Sequence, residues 1–539
     1  MVLSYAHGTA ATPLLGETVG ANLDRTVERF PDADALVSRH QGVRMTYAQF
    51  GATVDVVAGG LLDLGIAAGD RVGLWSPNNA EWVLLQYAAA KVGAVLVSIN
   101  TAFRQRELQH ALQLSGARLL IAAESARSPD YREVIDRVLP DVDRLERVLH
   151  LGTADWDNLL SAGEMVPADV LRARSATVRF DDPANIMFTS GTTGAPKGAT
   201  MSHHGNLNNG YLLGERCGYT RHDRVCLPIP LHHAFGSVCG NIACTSHGAC
   251  IVLPGPAFEP GDVLDTLQVE RCTSLYGVPT MFIAQLDHAG FDQYELSTLR
   301  TGIMGGSPCP RELMDQVISR MHIDQITIVY GMTETMVTTM TSPDDDIERR
   351  VSTVGPALPH VELKIVDPGD GATVVDRGVA GELCARGYSN MLGYWGDDAS
   401  TAEILDRARW LHTGDLAIMD DDGYLRIVGR IKDMIIRGGI NVYPSEVENF
   451  LLGHPDITDV AVVGVPDREY GEHVLACIRT VPGADLTEDA VREYCEGRIA
   501  YFKVPHYVRF VAEFPMTVSG KVQKYKLREL AISELELAL

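Results

Sequence analysis

The chain has 539 residues, of which 46% are hydrophobic and 22% are charged, and its formal net charge is −24. This composition is that of an ordinary globular protein, and the length exceeds the roughly 250–300 residues at which one core stops growing, so we expect at least two domains. The negative charge opposes non-specific binding to nucleic acid or to an anionic membrane surface.

The ten cysteines are scattered without C-x-x-C pairs, and the N-terminus lacks the basic and apolar regions of a signal peptide. The sequence has no run of about 18 uninterrupted apolar residues, the minimum for a membrane span. We therefore expect a cytoplasmic protein without a transmembrane segment, in which the cysteines are small buried hydrophobes. The oligomeric state, monomer or homodimer, stays open.

The first clear structural unit is DRVGLWSPNNAEWVLLQYAAAKVGAVLVSIN, residues 70–100. Its pattern predicts a strand, a helix capped by an asparagine and stopped at Gly93, and a second strand. Similar patterns return at residues 106–124 and 324–334. The repetition of strand and helix predicts an α/β domain with largely parallel sheets.

A glycine- and threonine-rich stretch, MFTSGTTGAPKGAT, follows a short apolar strand at residues 187–200. Glycines let backbone N–H groups approach an anion, hydroxyls add donors and the lysine adds charge, so the stretch is typical of a phosphate-binding loop. It does not fit the Walker pattern, because Pro196 stands five residues after Gly191 and Lys197 is followed by Gly198. Loops at the carboxyl ends of strands are where open α/β sheets bind ligands.

The pattern changes after residue 430. Pro444 to Leu452 is typical of a short helix with proline at its first position, residues 458–467 and 473–481 are short apolar strands, and residues 486–500 are helical. The predicted fold class is α/β, with a large N-terminal domain of layered, mostly parallel sheets and helices at 1–430. A small, mobile α+β domain is predicted at 431–539.

Five separated motifs then appear in one family order: TSGTTGAPKG, YGMTE, HTGDL, GRIKD and SGKV, between residues 189 and 522. Together they resemble the adenylate-forming superfamily of acyl-CoA synthetases, luciferases and peptide-synthetase adenylation domains, over nearly the whole chain. WVLLQYAAAKVGAVLVSIN and GGINVYPSEVE are most similar to medium-chain fatty acid CoA ligases. The resemblance implies that a carboxylic acid reacts with ATP to give acyl-AMP and pyrophosphate, and that CoA then displaces AMP.

The resemblance also implies the nucleotide site. Glu334 would bind Mg²⁺ through its carboxylate and Thr333 would donate to a phosphate. Asp415 would accept from both ribose hydroxyls, with Arg430 as its partner. The other implied ATP-binding residues are Thr189, Ser190, Gly191, Thr192, Thr193, Gly194, Lys197, Gly306, Ser307 and Tyr330.

The resemblance assigns the remaining chemistry to the small domain. Lys521 matches the catalytic lysine that meets the carboxylate and the α-phosphate. Lys432 stands at the hinge position, and Gly438 and Gly439 would line the route of the CoA thiol. Nearby Lys524, Lys526 and Arg528 are expected on a solvated helix face, with contacts to the CoA phosphates as the alternative.

The segment LPIPLHHAFGSVCG resembles the stretch that lies beside the acyl carboxyl group. His233 matches the family histidine, expected to be buried or gating, while His232 replaces the usual aromatic residue. Gly236 and other small residues of this segment would either leave room for an alkyl chain or allow close backbone packing.

Two alternatives to a fatty acid CoA ligase remain. The first is an enzyme that stops at acyl-AMP and passes the acyl group to a carrier protein. The second is a non-catalytic acyl- or nucleotide-binding protein, which the joint presence of Lys521 and Glu334 disfavours because neither is needed merely to hold AMP.

Overall fold

Strands and helices alternate along most of the chain, as the repeated pattern predicts. The computed structural model describes residues 2–124, 130–189, 196–307, 309–438, 440–468, 470–516, 522–535 and 537. Its strands, β1 to β25 in chain order, are Tyr5–His7, Asp34–Ser38, Val43–Thr46, Arg71–Trp75, Val95–Ser98, Leu119–Ala122, Arg147–His150, Pro183–Thr189, Lys197–Ser202, Arg224–Cys226, Cys250–Leu253, Ser274–Gly277, Thr301–Gly305, Gln325–Met332, Met336–Met340, Val361–Val366, Gly381–Gly387, Gly393–Tyr394, Leu411–Met419, Leu425–Arg430, Ile435–Arg437, Ile440–Val442, Ile457–Asp467, Gly471–Thr480 and Tyr507–Phe510.

The α-helices, α1 to α18, are Val19–Arg29, Tyr47–Asp63, Ala80–Val92, Gln105–Ser115, Tyr131–Val138, Ala154–Glu164, Ala168–Ser175, His203–Arg216, Ala234–Gly236, Ala243–His247, Pro260–Val269, Pro279–Leu286, Arg311–Met321, Ile347–Ser352, Asp398–Ile404, Pro444–Leu451, Glu488–Cys495 and Lys524–Glu534. Short 3-10 helices lie at Arg39–Gln41, Leu139–Asp141, Phe291–Gln293, Ile431–Asp433 and Tyr501–Lys503. A π-helix, Ser237–Ile242, joins α9 to α10.

Two large sheets form the N-terminal part of the molecule. One sheet has seven strands in the order β18-β9-β8-β5-β4-β6-β7, and the strands from β8 to β7 are parallel. The other has eight strands in the order β15-β14-β13-β12-β10-β11-β2-β3, and the strands from β14 to β2 are parallel. Helices α3 and α8 each contact both sheets and therefore lie between them. The prediction of a layered α/β fold with mostly parallel sheets is confirmed.

Helix α3 shows how the local sequence sets these elements. The Asn79 side chain accepts a hydrogen bond from the backbone N–H of Trp82 at 2.8 Å, which caps the helix start. Gly93 ends the helix in the left-handed conformation, with φ of +73°. Nearly every face of α3 is buried, as expected for a helix between two sheets.

Two smaller five-stranded sheets complete the molecule. The order β1-β16-β17-β19-β20 is antiparallel and carries the HTGDL motif on β19. Strands β21 to β25, with α16 to α18, form the α+β part after residue 430. Each sheet draws all its strands from one side of that residue. Within the residues described above, no helix is long and apolar enough to cross a bilayer.

Candidate functional site

The glycine- and threonine-rich stretch connects two paired strands. Strand β8 ends at Thr189 and β9 begins at Lys197, and these two residues lie opposite each other in the antiparallel pair. The predicted phosphate-binding residues Ser190, Gly191, Thr192, Thr193 and Gly194 lie outside the described residues. The stretch thus leaves the large sheet at the carboxyl end of β8, where α/β sheets bind ligands.

Lys197 and Glu334 both contact one tyrosine, Tyr394. The Tyr394 hydroxyl donates to Glu334 Oε1 at 2.8 Å, and the Lys197 ammonium lies 5.1 Å from the centroid of the same ring. Burial, and then the Glu334 charge, raises the pKa of the Tyr394 hydroxyl above its ordinary value. Tyr394 therefore stays a neutral donor that holds the Glu334 carboxylate through its hydroxyl, while its ring contacts the Lys197 ammonium.

The YGMTE motif forms the turn between β14 and β15. The backbone N–H of Thr335 donates to the Met332 carbonyl at 3.1 Å, which closes the turn. Thr333 and Glu334 therefore stand in a hairpin connection, and not at a helix start. Thr333 is half-buried and Glu334 is buried.

Glu334 fits a hard divalent cation. Its side chain is buried, and among the described residues the side chain that hydrogen bonds it is Tyr394, which takes Oε1. A buried carboxylate is costly without a counter-charge. The remaining oxygen suits Mg²⁺, which prefers carboxylate oxygen and keeps several waters.

Asp415 lies at the centre of a second cluster. Its carboxylate is held between the Tyr330 hydroxyl, which donates to Oδ2 at 2.6 Å, and the Arg430 guanidinium, whose Nε is 2.9 Å from Oδ1. Asp415 and Arg430 are direct partners in the β19–β20 pair. Burial, followed by the Asp415 charge, raises the pKa of Tyr330 well above its usual value.

The two clusters belong to one site because Tyr330 and Glu334 lie four residues apart, at the end of β14 and in the turn that follows. Contacts through Tyr394 and Tyr330 therefore link both large sheets and the antiparallel sheet, at Lys197, Glu334, Asp415 and Arg430. A carboxylate offers about four acceptor positions. Among the described residues, Asp415 uses two of them for Tyr330 and Arg430, so two acceptor positions remain.

The GGSP segment follows strand β13. Gly306 has φ of +90°, a conformation that side chains other than glycine rarely adopt. Gly306 and Ser307 are both exposed, and Pro308 lies outside the described residues. The next strand in the same sheet, β14, carries Tyr330, so Gly306 and Ser307 follow the strand that neighbours the one with the tyrosine.

The segment expected to line the acyl site is helical and closely packed. His233 is exposed, and its Nδ1 accepts from the Phe235 backbone N–H at 3.2 Å, which caps α9. A Cβ atom on Gly236 would lie 2.4 Å from the Pro230 carbonyl oxygen. Burial lowers the pKa of His232 to about 3, so this imidazole is neutral near pH 7.

The residues expected in the small domain lie on separate elements. Lys432 is exposed in the 3-10 helix that follows β20. Gly438, with φ of +57°, lies in the β21–β22 hairpin and donates to the Tyr470 carbonyl at 2.7 Å. Gly439 and Lys521 lie outside the described residues. Lys524, at the start of α18, pairs with Glu448 at 2.6 Å.

Sequence reasoning missed Tyr394. The tyrosine is near neither Lys197 nor Glu334 in the sequence, and its neighbourhood, MLGYWGD, carries no recognisable spacing. The pairing of β18 with β9 brings it to the site. An aromatic residue next to glycine is common, so only the tertiary structure identifies this one.

Known proteins match the chain over almost its full length. The family model described as AMP-binding enzyme matches residues 23–395, and that described as AMP-binding enzyme C-terminal domain matches residues 446–521. The Bacillus subtilis protein YngI is 45% identical, covering 97% of this chain and 99% of its own length. The mitochondrial medium-chain acyl-CoA ligase ACSF2 of Danio rerio is 41% identical, covering 100% of this chain and 92% of its own length.

Solved structures agree with these sequence matches. The crystal structure of ATP-bound MatB from Rhodopseudomonas palustris has a TM-score of 0.84 and 29% identity. The match covers 96% of this chain and 99% of MatB.

Proposed function

Because the chain belongs to the AMP-binding enzyme family of adenylate-forming enzymes, we propose that it is a medium-chain fatty acid CoA ligase. It would use ATP and Mg²⁺ to convert the acid to acyl-AMP, and CoA to release the thioester. The relatives named as medium-chain acyl-CoA ligases support a medium-chain acid as the substrate. The ten buried, free cysteines support a reducing location, the cytoplasm.

The observation that carries the proposal is the buried Asp415 carboxylate between Tyr330 and Arg430. This arrangement preorganises two remaining acceptor positions for vicinal hydroxyls such as those of a ribose. With the ribose held there, the phosphates would extend toward the stretch between β8 and β9 and toward Glu334.

The first step requires a negatively charged carboxylate to approach a negatively charged α-phosphate. Lys197 and a Mg²⁺ ion on Glu334 would offset the phosphate charge, and Lys521 would contact the α-phosphate and the acid. Mg²⁺, when bound, would neutralise charge on the phosphate oxygens. Tyr394 would hold the Glu334 carboxylate in place.

In the second step, Lys521 would leave the site and the hairpin carrying Gly438 and Gly439 would approach. Rotation at Lys432 would exchange the two arrangements. The exposed position of Lys432, directly after β20, supports a pivot at this point.

A panel of straight-chain acids from butyrate to palmitate tests the proposal, with pyrophosphate release and product mass as readouts. We expect acyl-CoA and AMP with CoA present, and the highest kcat/KM for acids of about eight to twelve carbons. Acyl-AMP that forms equally well with and without CoA, and no thioester, would contradict the ligase assignment and favour a carrier-protein acceptor.

A further inference from the structure

Asp415 is carried by an irregular part of strand β19. Glu382 on β17 pairs with Leu416 and Cys384 pairs with His412, so Thr413, Gly414 and Asp415 lie opposite the single residue Leu383. This is a β-bulge, and Gly414 within it has φ of +69°. Bulges re-aim side chains near binding sites, so the direction of Asp415 depends on what holds the bulge in shape.

Glu382 is the side chain that holds it. The buried carboxylate accepts from the Gly414 backbone N–H at 3.1 Å through Oε1 and from His412 Nδ1 at 2.8 Å through Oε2. The Thr413 hydroxyl adds one contact, a donation to the Leu383 carbonyl at 2.8 Å. Glu382 thus connects His412, the residue before the bulge, to Gly414, the central residue of the bulge.

A hydrogen bond within the bulge also holds Asp415, the residue proposed to bind the ribose. The Asp415 backbone N–H donates to Thr413 Oγ1 at 3.1 Å. If Gly414 moved, the Asp415 carboxylate would lose its alignment with Tyr330 and Arg430. We propose that Glu382 is a positioning residue for ATP, because it fixes the bulge that aims Asp415, with His412 as its cationic partner. This inference rests on the proposed use of ATP.

The electrostatic surroundings of His412 give the proposal a distinctive pH dependence. The hydrogen bond to Glu382 raises the pKa of the imidazole. The other groups that face it are Cys384 on β17, Lys364 on β16 and Asp406 after α15. Because the pKa in the folded protein is raised, the charged contact is fully present below the ordinary histidine pKa of about 6.5 and weakens as pH rises through the higher value.

Replacement of the carboxylate by an amide reverses this dependence. In Glu382→Gln, one oxygen remains for two donors that use separate oxygens of the carboxylate, the Gly414 N–H and a protonated His412. One of these donors therefore faces the amide N–H₂ group. A neutral His412 can instead accept from that group through Nδ1. The variant should therefore bind ATP worst at low pH and improve as pH rises.

The experiment is calorimetric ATP binding to the full chain at about pH 6 and about pH 9, on either side of the histidine range. The ratio of variant Kd to unmutated Kd cancels the titration of ATP itself. We expect a ratio of about 10 at the lower pH, the cost of one charge-assisted hydrogen bond. The ratio should fall to about 2 at the higher pH, because the neutral imidazole can accept a hydrogen bond from the amide N–H₂ group.

Glu362→Gln is the matched control. This carboxylate lies on the neighbouring strand β16 and pairs with Arg386 at 2.7 Å, and no hydrogen bond joins it to the bulge among the described residues. ATP affinity should stay within about twofold. Glu382→Ala should weaken ATP binding at both pH values, and steady-state assays should show a higher KM for ATP with little change in the KM for the acid.

A Glu382→Gln ratio near one at both pH values would overturn the positioning role. So would a ratio that does not change with pH, since a purely structural defect would not follow the histidine titration. Thermal melting of each variant separates loss of folding from loss of alignment. If the unmutated chain itself fails to bind ATP, the proposed function fails, and not this inference alone.

Discussion

The replacement Asp415→Ala tests the nucleotide site directly. The Asp415 side chain is 8% exposed and its carboxylate already accepts hydrogen bonds from Tyr330 and Arg430, so it is fixed before a ligand binds. Removing it takes away the two remaining acceptor positions. Each hydrogen bond to a charged group contributes about 1.5–3 kcal/mol. Losing one of the two should raise the KM for ATP roughly 10- to 150-fold, and losing both should raise it further.

The assay is initial-rate pyrophosphate release, with ATP varied at saturating octanoate and octanoate varied at saturating ATP. The KM for octanoate should change less than about threefold, because the lost contacts belong to the nucleotide. Asp421→Ala is a suitable control, since Asp421 is exposed in the turn between β19 and β20. An unchanged dependence on ATP in folded Asp415→Ala would refute the ribose assignment.

Four further substitutions test other parts of the site. Lys521→Ala should slow acyl-AMP formation roughly 30- to 1000-fold while leaving thioester formation from synthetic acyl-AMP and CoA largely intact. As a control, Lys503→Ala, which removes a salt bridge to Glu446, should change neither step. Equal loss in both steps of Lys521→Ala would contradict the division of labour. Glu334→Gln should raise the Mg²⁺ concentration needed for half-maximal rate by about 10- to 100-fold, and an unchanged Mg²⁺ titration would oppose a metal role. Tyr330→Phe should raise the KM for ATP about two- to tenfold by releasing one side of Asp415, so an unchanged KM would mean that the hydroxyl does not align the carboxylate. Gly414→Ala should lower the free energy of unfolding by about 1–2 kcal/mol in a urea titration, because φ is +69° there and alanine is strained in that region; no loss would mean that the bulge relaxes freely.

Local sequence rules predicted much of the scaffold. Asn79 and Gly93 bound helix α3 as expected, and Pro444 opens α16 at its first turn. Such signals are readable because caps and proline positions depend on neighbours only a few residues away. The predicted parallel order of β4 and β5 follows from the helix that connects them.

Other features depend on strands that are distant in sequence. The bulge that contains Asp415 arises from the register of β19 on β17, and Glu382 is 33 positions earlier in the chain, so no local pattern reveals their contact. The same holds for Tyr394, which reaches Lys197 only through the pairing of β18 and β9. The YGMTE motif forms a hairpin turn because β15 returns antiparallel to β14, a pairing that local sequence does not specify.

The most direct test of the adenylate-forming reaction uses octanoate labelled with ¹⁸O in both carboxylate positions. The acid oxygen that attacks the α-phosphate stays on phosphorus when CoA displaces AMP. Mass spectrometry after reaction with ATP, Mg²⁺ and CoA should therefore find one ¹⁸O atom in AMP, together with octanoyl-CoA. Unlabelled AMP, or ¹⁸O in inorganic phosphate with ADP as the product, would contradict the proposed route through acyl-AMP.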